Sequence, residues 1–310
     1  MLAKKKFKIT KIPIIGKLIK LSMRTKLPGL EGLTLYQLLR IYIAGIVEGA
    51  LNYKAGSIAF TFFMALFPFA LFLLNLIPYI PVDNFQENFL MFVEENVPPN
   101  TYDAIELILI DIMNNSYRSL VSTGVIMSVF FMANGVNAII NGFQSSAHLS
   151  ISRNFFRQYL IAITLSVLLS VMLVISVAVY LTVEVLMHVS DYPYIADIGR
   201  NLFVVLMILL TVSILYKFGT KETKHLSFIS YGSVFTTILM SLTSVAFGFY
   251  VSKFAKYNEL YGSIGTLLVI MIYIWINCMI LLLGFELNAA IYTAKRKNAY
   301  ISNNKNKKSV

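Results

Sequence analysis

The chain has 310 residues, of which 57% are hydrophobic and 13% are charged, about half the charged share of an ordinary soluble domain. This composition excludes a water-soluble globular protein and predicts a chain whose solvent is partly lipid hydrocarbon. A disulfide scaffold is excluded as well, because Cys278 is the only cysteine. Since Cys278 lies inside an apolar run, we expect a buried small side chain there.

Six apolar stretches approach or exceed the length of about 18 residues that a helix needs to cross a bilayer. We therefore predict an all-α fold, a polytopic membrane helix bundle of about six transmembrane helices with amphipathic interfacial helices. A basic N-terminal segment (1–33) precedes the membrane domain (34–294), and a basic tail (295–310) follows it. The six stretches are residues 55–80, 119–142, 159–187, 195–219, 227–251 and 262–290.

The distribution of charge predicts how the bundle is oriented. The net charge is +11, and 22 of the 26 Lys and Arg residues lie in residues 1–54, in residues 295–310 and in the alternate loops 143–158 and 217–226. The opposite loops hold 10 of the 15 acidic residues. Because Lys and Arg are enriched in cytoplasmic loops, both termini are predicted to be cytoplasmic. The basic flanks are expected to bind anionic lipid headgroups and no nucleic acid.

Two regions outside the predicted spans have amphipathic patterns. Residues 34–54 carry apolar side chains at helical spacing, which predicts an interfacial helix that leads into the first span. A re-entrant seventh hydrophobic segment is the alternative. In the external loop between the first two spans, residues 85–92 and 105–112 predict two short amphipathic helices.

Three asparagines share one face of the second predicted span. Asn134, Asn137 and Asn141 follow one another at the i, i+3 and i+7 positions. Because polar groups in hydrocarbon must find partners, these amides either line a wet path or bind neighbouring helices together. The sequence leaves both interpretations open.

The last predicted span carries Asn277, Glu286 and Asn288. Asn277 and Asn288 lie on one stripe of the helix, whereas Glu286 points away from it, so both faces need a polar neighbour. Glu286 is interpreted as a structural carboxylate near the inner membrane boundary, with a proton or substrate role as the alternative. In the first span, Pro68 interrupts the backbone hydrogen bonding and is a candidate hinge.

Several short motifs resemble a known family. The segment 55–68 (AGSIAFTFFMALFP) resembles the first-span signature of the YihY/virulence factor BrkB family, and the segments 261–265 (YGSIG) and 283–288 (LGFELN) are similar to its last-span signature. The resemblance covers about residues 35–294. It implies an integral protein of the bacterial inner membrane that acts as a transporter or an envelope factor, in a family once labelled ribonuclease BN.

The ribonuclease label conflicts with the chemistry that the sequence offers. Metal-dependent hydrolysis of RNA needs clustered His and carboxylate ligands, whereas His148, His188 and His225 are scattered along the chain. The sequence also lacks a phosphate-binding glycine motif and a nucleophile elbow. We therefore predict a protein that is not an enzyme and that has no metal or cofactor.

Two functions of different kinds fit these features. The first is a transporter or permease for a small solute or lipid. The second is an envelope scaffold that binds lipid or a partner, in which the buried amides serve only assembly. The oligomeric state and the substrate are left open. The polar path predicted for a transporter is bordered by Asn134, Asn137, Asn141, Asn277, Glu286 and Asn288.

Overall fold

The computed structural model of the chain describes residues 34–48, 50–76, 85–96, 106, 109–110, 118–146, 154–187, 193–220, 227–253 and 263–307. These residues form helices in every region longer than two residues, and the all-α prediction is confirmed. The helices are α1 (Leu35–Glu48), α2 (Leu51–Leu76), α3 (Phe85–Asn96), α4 (Arg118–Gln144), α5 (Phe155–Met187), α6 (Pro193–Gly219), α7 (Tyr231–Lys253) and α8 (Ser263–Lys307).

Five of the helices, α4 to α8, contain stretches that are long and apolar enough to cross a membrane. The first predicted span falls on α2, whose 26 residues extend about 39 Å at about 1.5 Å per residue. That length exceeds the roughly 30 Å of a bilayer's hydrocarbon core. Residues 77–80 of this predicted span lie outside the described residues. The membrane bundle is confirmed, and its sixth span stays a prediction.

The segments at the edges of the bundle differ from their predicted bounds. Helix α1 has 14 residues, about 21 Å of helix, which is too short to cross the hydrocarbon core. It packs through Leu38 against Ala290 and Ile291 of α8. Helix α3 coincides with the first amphipathic segment predicted in the external loop, whereas the second segment lies almost wholly outside the described residues. Helix α8 continues to Lys307, well into the predicted tail, because no glycine or proline interrupts it after Gly284.

Helices α2, α4, α5, α6, α7 and α8 form a closed ring in chain order. Each helix packs against the next, and α8 returns to α2. Helices α2 and α4 make the most extensive contact of the ring. Two glycines of α4 permit this approach, because an added Cβ would lie 3.2 Å from Phe62 at Gly135 and 3.0 Å from Ile58 at Gly142.

Among the described residues, the main core of the ring lies at one end. This core joins side chains from the start of α2, the end of α4, the start of α5, the end of α6 and residues 278–289 of α8. We call this region the sealed end. Farther along the same helices, no described residue is buried within 167–177 of α5, 198–211 of α6, 238–251 of α7 or 267–277 of α8. We call these four ranges the loosely packed half.

Candidate functional site

Three aromatic rings close the centre of the sealed end. Phe143 of α4 stacks on Phe285 of α8 with 4.1 Å between ring centroids, and Tyr216 of α6 meets both rings edge-on. All three side chains are buried. This aromatic plug was not predicted from the sequence, because three aromatic residues on three separate spans form no pattern along the chain.

A hydrogen-bonded chain fixes the tyrosine of this plug. The Tyr216 hydroxyl donates to the carbonyl oxygen of Leu281 at 2.7 Å and lies 2.6 Å from Oγ1 of Thr236 on α7. Because a phenol has one hydrogen to donate, the Thr236 hydroxyl is the donor to Tyr216. Helices α6, α7 and α8 are thereby joined at one point inside the ring.

A polar cluster lies beside the aromatic plug, and Glu286 is its central residue. The Glu286 side chain is 1% exposed, and its Oε2 atom accepts a hydrogen bond of 2.7 Å from the Ser146 hydroxyl. Nζ of Lys54 donates to the carbonyl oxygen of the adjacent Ser145, also at 2.7 Å. The Glu286 cluster, which comprises Tyr42, Lys54, Ser145, Ser146 and Glu286, therefore joins α1, α2 and α8 to the end of α4.

The pKa values of two members of the cluster reflect burial and the charge of Glu286. Burial raises the pKa of the Tyr42 phenol to about 12, and the negative charge of Glu286 acts in the same direction. Burial lowers the pKa of the Lys54 ammonium, while Glu286 opposes that shift. Both groups thus lie within electrostatic reach of the buried carboxylate.

The three asparagines of α4 lie at the contact between α4 and α5. Nε2 of Gln158 donates to Oδ1 of Asn137 at 2.7 Å and to Oδ1 of Asn141 at 2.6 Å. The Tyr159 hydroxyl donates to Oδ1 of Asn134 at 3.1 Å. The structure therefore brings the three predicted amides together with two partners that were not selected from the sequence. Gln158 was open to detection, because it is a polar residue directly before an apolar run.

Asn288 and Asn277 have different environments on α8. Asn288 is 2% exposed, accepts a hydrogen bond of 2.8 Å from the backbone N–H of Gly232 and donates one of 2.8 Å to the Ser230 hydroxyl. Asn288 therefore provides a hydrogen-bond acceptor for the first turn of α7, where backbone N–H groups have no partner within the helix. Asn277 donates instead to the carbonyl oxygen of Tyr273 in its own helix.

The backbones of α7 and α8 approach closely at two glycines. An added Cβ on Gly232 would lie 2.6 Å from Cγ of Asn288, and one on Gly284 would lie 2.6 Å from the Tyr216 hydroxyl oxygen. Only glycine leaves room for this crossing. Glu286 lies on a different side of α8 from Asn288 and faces the end of α4. The polar residues predicted on the last span therefore serve separate contacts.

Helix α2 continues through Pro68, the candidate hinge. The Ser128 hydroxyl of α4 donates a hydrogen bond of 2.6 Å to the Pro68 carbonyl oxygen. This contact braces the backbone around the proline against α4. A hinge motion at Pro68 stays a prediction.

The described residues contain no group of three or more His, Cys, Asp or Glu side chains placed to hold a metal ion. His148, His188 and His225 lie outside these residues. The groups that the described part of the chain brings together are hydroxyls, amides, one buried carboxylate and one lysine. Such groups can bind protons or polar solutes, or hold helices together.

The fold and these contacts define a polytopic α-helical membrane protein. The virulence factor BrkB family matches residues 43–309, and the chain belongs to this family. The resemblance seen in the sequence motifs is thereby confirmed.

The chain is similar to several bacterial proteins. It is 30% identical to the ribonuclease-like protein YfkH of Bacillus subtilis over 251 residues, which cover 78% of this chain and 90% of YfkH. It is 20% identical to a UPF0761 membrane protein of Histophilus somni, over 81% of this chain and 89% of that protein. A UPF0761 membrane protein of Xanthomonas axonopodis is 22% identical over 79% of this chain, which spans 58% of that longer relative. No solved structure matches the chain.

Proposed function

We propose that the protein is a membrane transporter that moves an amphipathic solute or a lipid, and that it is not an enzyme. The observation that carries this proposal is the asymmetry of the ring. A plug of buried side chains closes the sealed end, whereas the described residues of the loosely packed half are exposed or half-buried. A transporter that holds a solute site open to one side and closed to the other has this arrangement.

The chemistry of the loosely packed half supports an amphipathic substrate. Its exposed side chains are mostly apolar, as with Val204, Leu242 and Leu268, and a few are polar, as with Asn201 and Ser244. A surface of this kind binds apolar chains by excluding water. It offers few of the oxygen ligands that a dehydrated inorganic ion requires.

The orientation of the transporter is also a proposal. The sealed end carries exposed Tyr53 and Tyr231, and amphipathic aromatic rings favour the headgroup level of a bilayer. Lys217 and Arg157 lie at the same end. They belong to the set of terminal segments and alternate loops that together hold most of the Lys and Arg residues. These features support a sealed end at the cytoplasmic face of a bacterial inner membrane, bound to anionic headgroups.

One observation favours the second candidate function, an envelope scaffold. Gln158 and Tyr159 occupy the oxygen atoms of Asn134, Asn137 and Asn141. Amides that bind each other across two helices contribute to assembly without any substrate. The polar path is therefore the part of the transport proposal that needs the most direct test.

Reconstituted vesicles separate the two candidates. Phosphatidylglycerol with a fluorescent acyl label is incorporated in both leaflets, and a membrane-impermeant reductant then bleaches the outer leaflet. A transporter of lipids lets the bleaching proceed beyond the outer half, whereas bleaching that stops as in protein-free vesicles contradicts the proposal for this lipid class. The variant Asn137→Leu loses the bond to Gln158 and is expected to lower the thermal midpoint slightly, but to abolish flux in the folded protein if Asn137 lies on the path. A lower midpoint with unchanged flux assigns Asn137 to assembly.

A further inference from the structure

Among the side chains whose burial the structure describes, Glu286 is the one buried acid. A charged carboxylate is costly to remove from water, so it is retained where nearby charges and hydrogen bonds stabilise it. Glu286 lies at the sealed end, next to the aromatic plug, because its chain neighbour Phe285 stacks on Phe143. A change in the charge of Glu286 therefore acts directly on the groups that close the ring.

The described groups that face Glu286 come from three other elements. Tyr42 faces it from α1 and Lys54 from α2, while Ser146, after the end of α4, donates to its Oε2 atom. Lys54 is the cation of the cluster, Tyr42 is a phenol that keeps its proton at neutral pH, and Ser146 does not titrate.

Lys54 and Glu286 each hold one of two consecutive residues. Nζ of Lys54 binds the carbonyl oxygen of Ser145, and the Glu286 carboxylate binds the hydroxyl of Ser146. The end of α4 is thus fastened to α2 and to α8 by two hydrogen bonds, each of which involves a charged side chain. Such bonds are roughly twice as strong as bonds between neutral groups.

We propose that Glu286 is a proton-binding site and that its protonation opens the sealed end of the ring. A proton from water at that end forms an O–H bond with a carboxylate oxygen, and the side chain changes from negative to neutral. The neutral acid holds the Ser146 hydroxyl more weakly and no longer attracts Lys54. Loss of the proton restores the negative charge and closes the ring. This inference rests on the proposed transport function, to which it adds a coupling ion.

The native cysteine reports on the opening without any added probe residue. Cys278 is the only cysteine of the chain, is buried and belongs to the same core as Phe285 and Leu281. A membrane-impermeant thiol reagent, added from the side of the sealed end, reaches it only when water enters that end. Each labelling rate is divided by the rate for the unfolded protein at the same pH, which removes the titration of the thiol itself.

We expect wild-type protein in inverted membrane vesicles, whose outer face is the proposed side of the sealed end, to be labelled about tenfold faster at about pH 4 than at about pH 8, a range that includes the ordinary pKa of a glutamate. Glu286→Gln carries no charge at either pH and is expected to label rapidly at both. Glu94→Gln changes an exposed acid of α3 and is the control that keeps the wild-type response. Slow labelling of Glu286→Gln at both pH values, or a pH response that survives in this variant, overturns the proposal.

If Glu286→Gln does not fold, a second variant tests whether Glu286 holds the sealed end closed. Ser146→Ala removes the hydroxyl that Glu286 holds, so faster labelling at about pH 8 and a smaller pH response are expected. A wild-type rate at that pH contradicts the proposal. The labelling assay needs no substrate, so its result is independent of flux. A pH-gated Cys278 without flux of the tested lipid removes that lipid class as the substrate and leaves the proton site, whereas flux with a pH-independent Cys278 removes the proton site.

Discussion

Gln158 donates a hydrogen bond of 2.6 Å from its side-chain amide to Oδ1 of Asn141. The donor lies at the start of α5 and the acceptor near the end of α4, so the bond joins two helices at the sealed end. The same amide reaches Asn137 at 2.7 Å. One buried glutamine thus organises two of the three amides that the sequence had placed on a common face.

Replacement of this glutamine tests how much the interhelical bonds stabilise the protein. Gln158→Leu is expected to lower the free energy of unfolding by about 1–2 kcal/mol, because two amide oxygens lose their donor. The matched control is Gln144→Leu, since the buried Nε2 atom of Gln144 has no hydrogen-bond partner in the described part of the chain. Thermal unfolding in detergent compares the variants. Equal midpoints for the two would show that the amide contacts contribute nothing.

The close crossing of α7 and α8 predicts different costs for two glycines of the same helix. Gly232→Ala forces a Cβ against the Gly284 carbonyl and the Asn288 side chain, and is expected to cost about 1–3 kcal/mol by overpacking. Gly248→Ala meets nothing within 4 Å, so the helix preference of alanine makes it neutral or slightly stabilising. The thermal midpoints of the two variants provide the measurement. A Gly232→Ala variant as stable as Gly248→Ala would exclude the crossing.

Asn288 and Asn277 give a second matched pair, on α8. Asn288→Leu removes the partner of the Gly232 N–H and of the Ser230 hydroxyl, and is expected to cost about 1–3 kcal/mol because buried polar groups are left unsatisfied. Asn277→Leu breaks a bond within its own helix, so its effect is expected to be smaller. Denaturation curves measure both changes. The reverse order of stabilities is the outcome that contradicts this assignment.

Because the Tyr42 phenol is partly buried, we expect the free energy of unfolding to depend on pH in the alkaline range. The pKa of this phenol in the folded protein is raised from 10.0 to about 12, mainly by burial. Over this range the folded protein keeps a proton that the unfolded chain has lost, so stability falls as the pH rises. Tyr42→Phe removes this contribution. The thermal midpoint of the wild type is therefore expected to fall more steeply than that of the variant between about pH 10 and pH 12. Parallel curves would show that the Tyr42 phenol is not perturbed.

Hydropathy predicted the helices of this protein because a long apolar run leaves few alternatives to a spanning helix. It could not predict that α8 extends to Lys307, because charged residues end an apolar run without ending a helix. Nor could it predict the closed ring, since the rotation of each helix about its axis depends on neighbours that are distant in sequence.

The candidate site was predictable to a similar degree. Glu286 was selected from the sequence and expected to need a polar neighbour, which the structure shows to be Ser146. The particular hydroxyl could not be chosen, because it is separated from Glu286 by 140 residues. The asparagine stripe on α4 was recognised from its spacing, whereas its pairing with Gln158 depends on α5 lying beside α4.

The proposed transport requires that water reaches the loosely packed half of the ring and is excluded from the sealed end. Hydrogen exchange of the wild-type protein in lipid nanodiscs tests this difference within single helices. We predict faster amide exchange in residues 238–251 than in residues 232–237 of α7, and faster exchange in residues 198–211 than in residues 212–219 of α6. Equal protection along both helices would contradict the proposal, because it would mean that lipid or protein fills the proposed path.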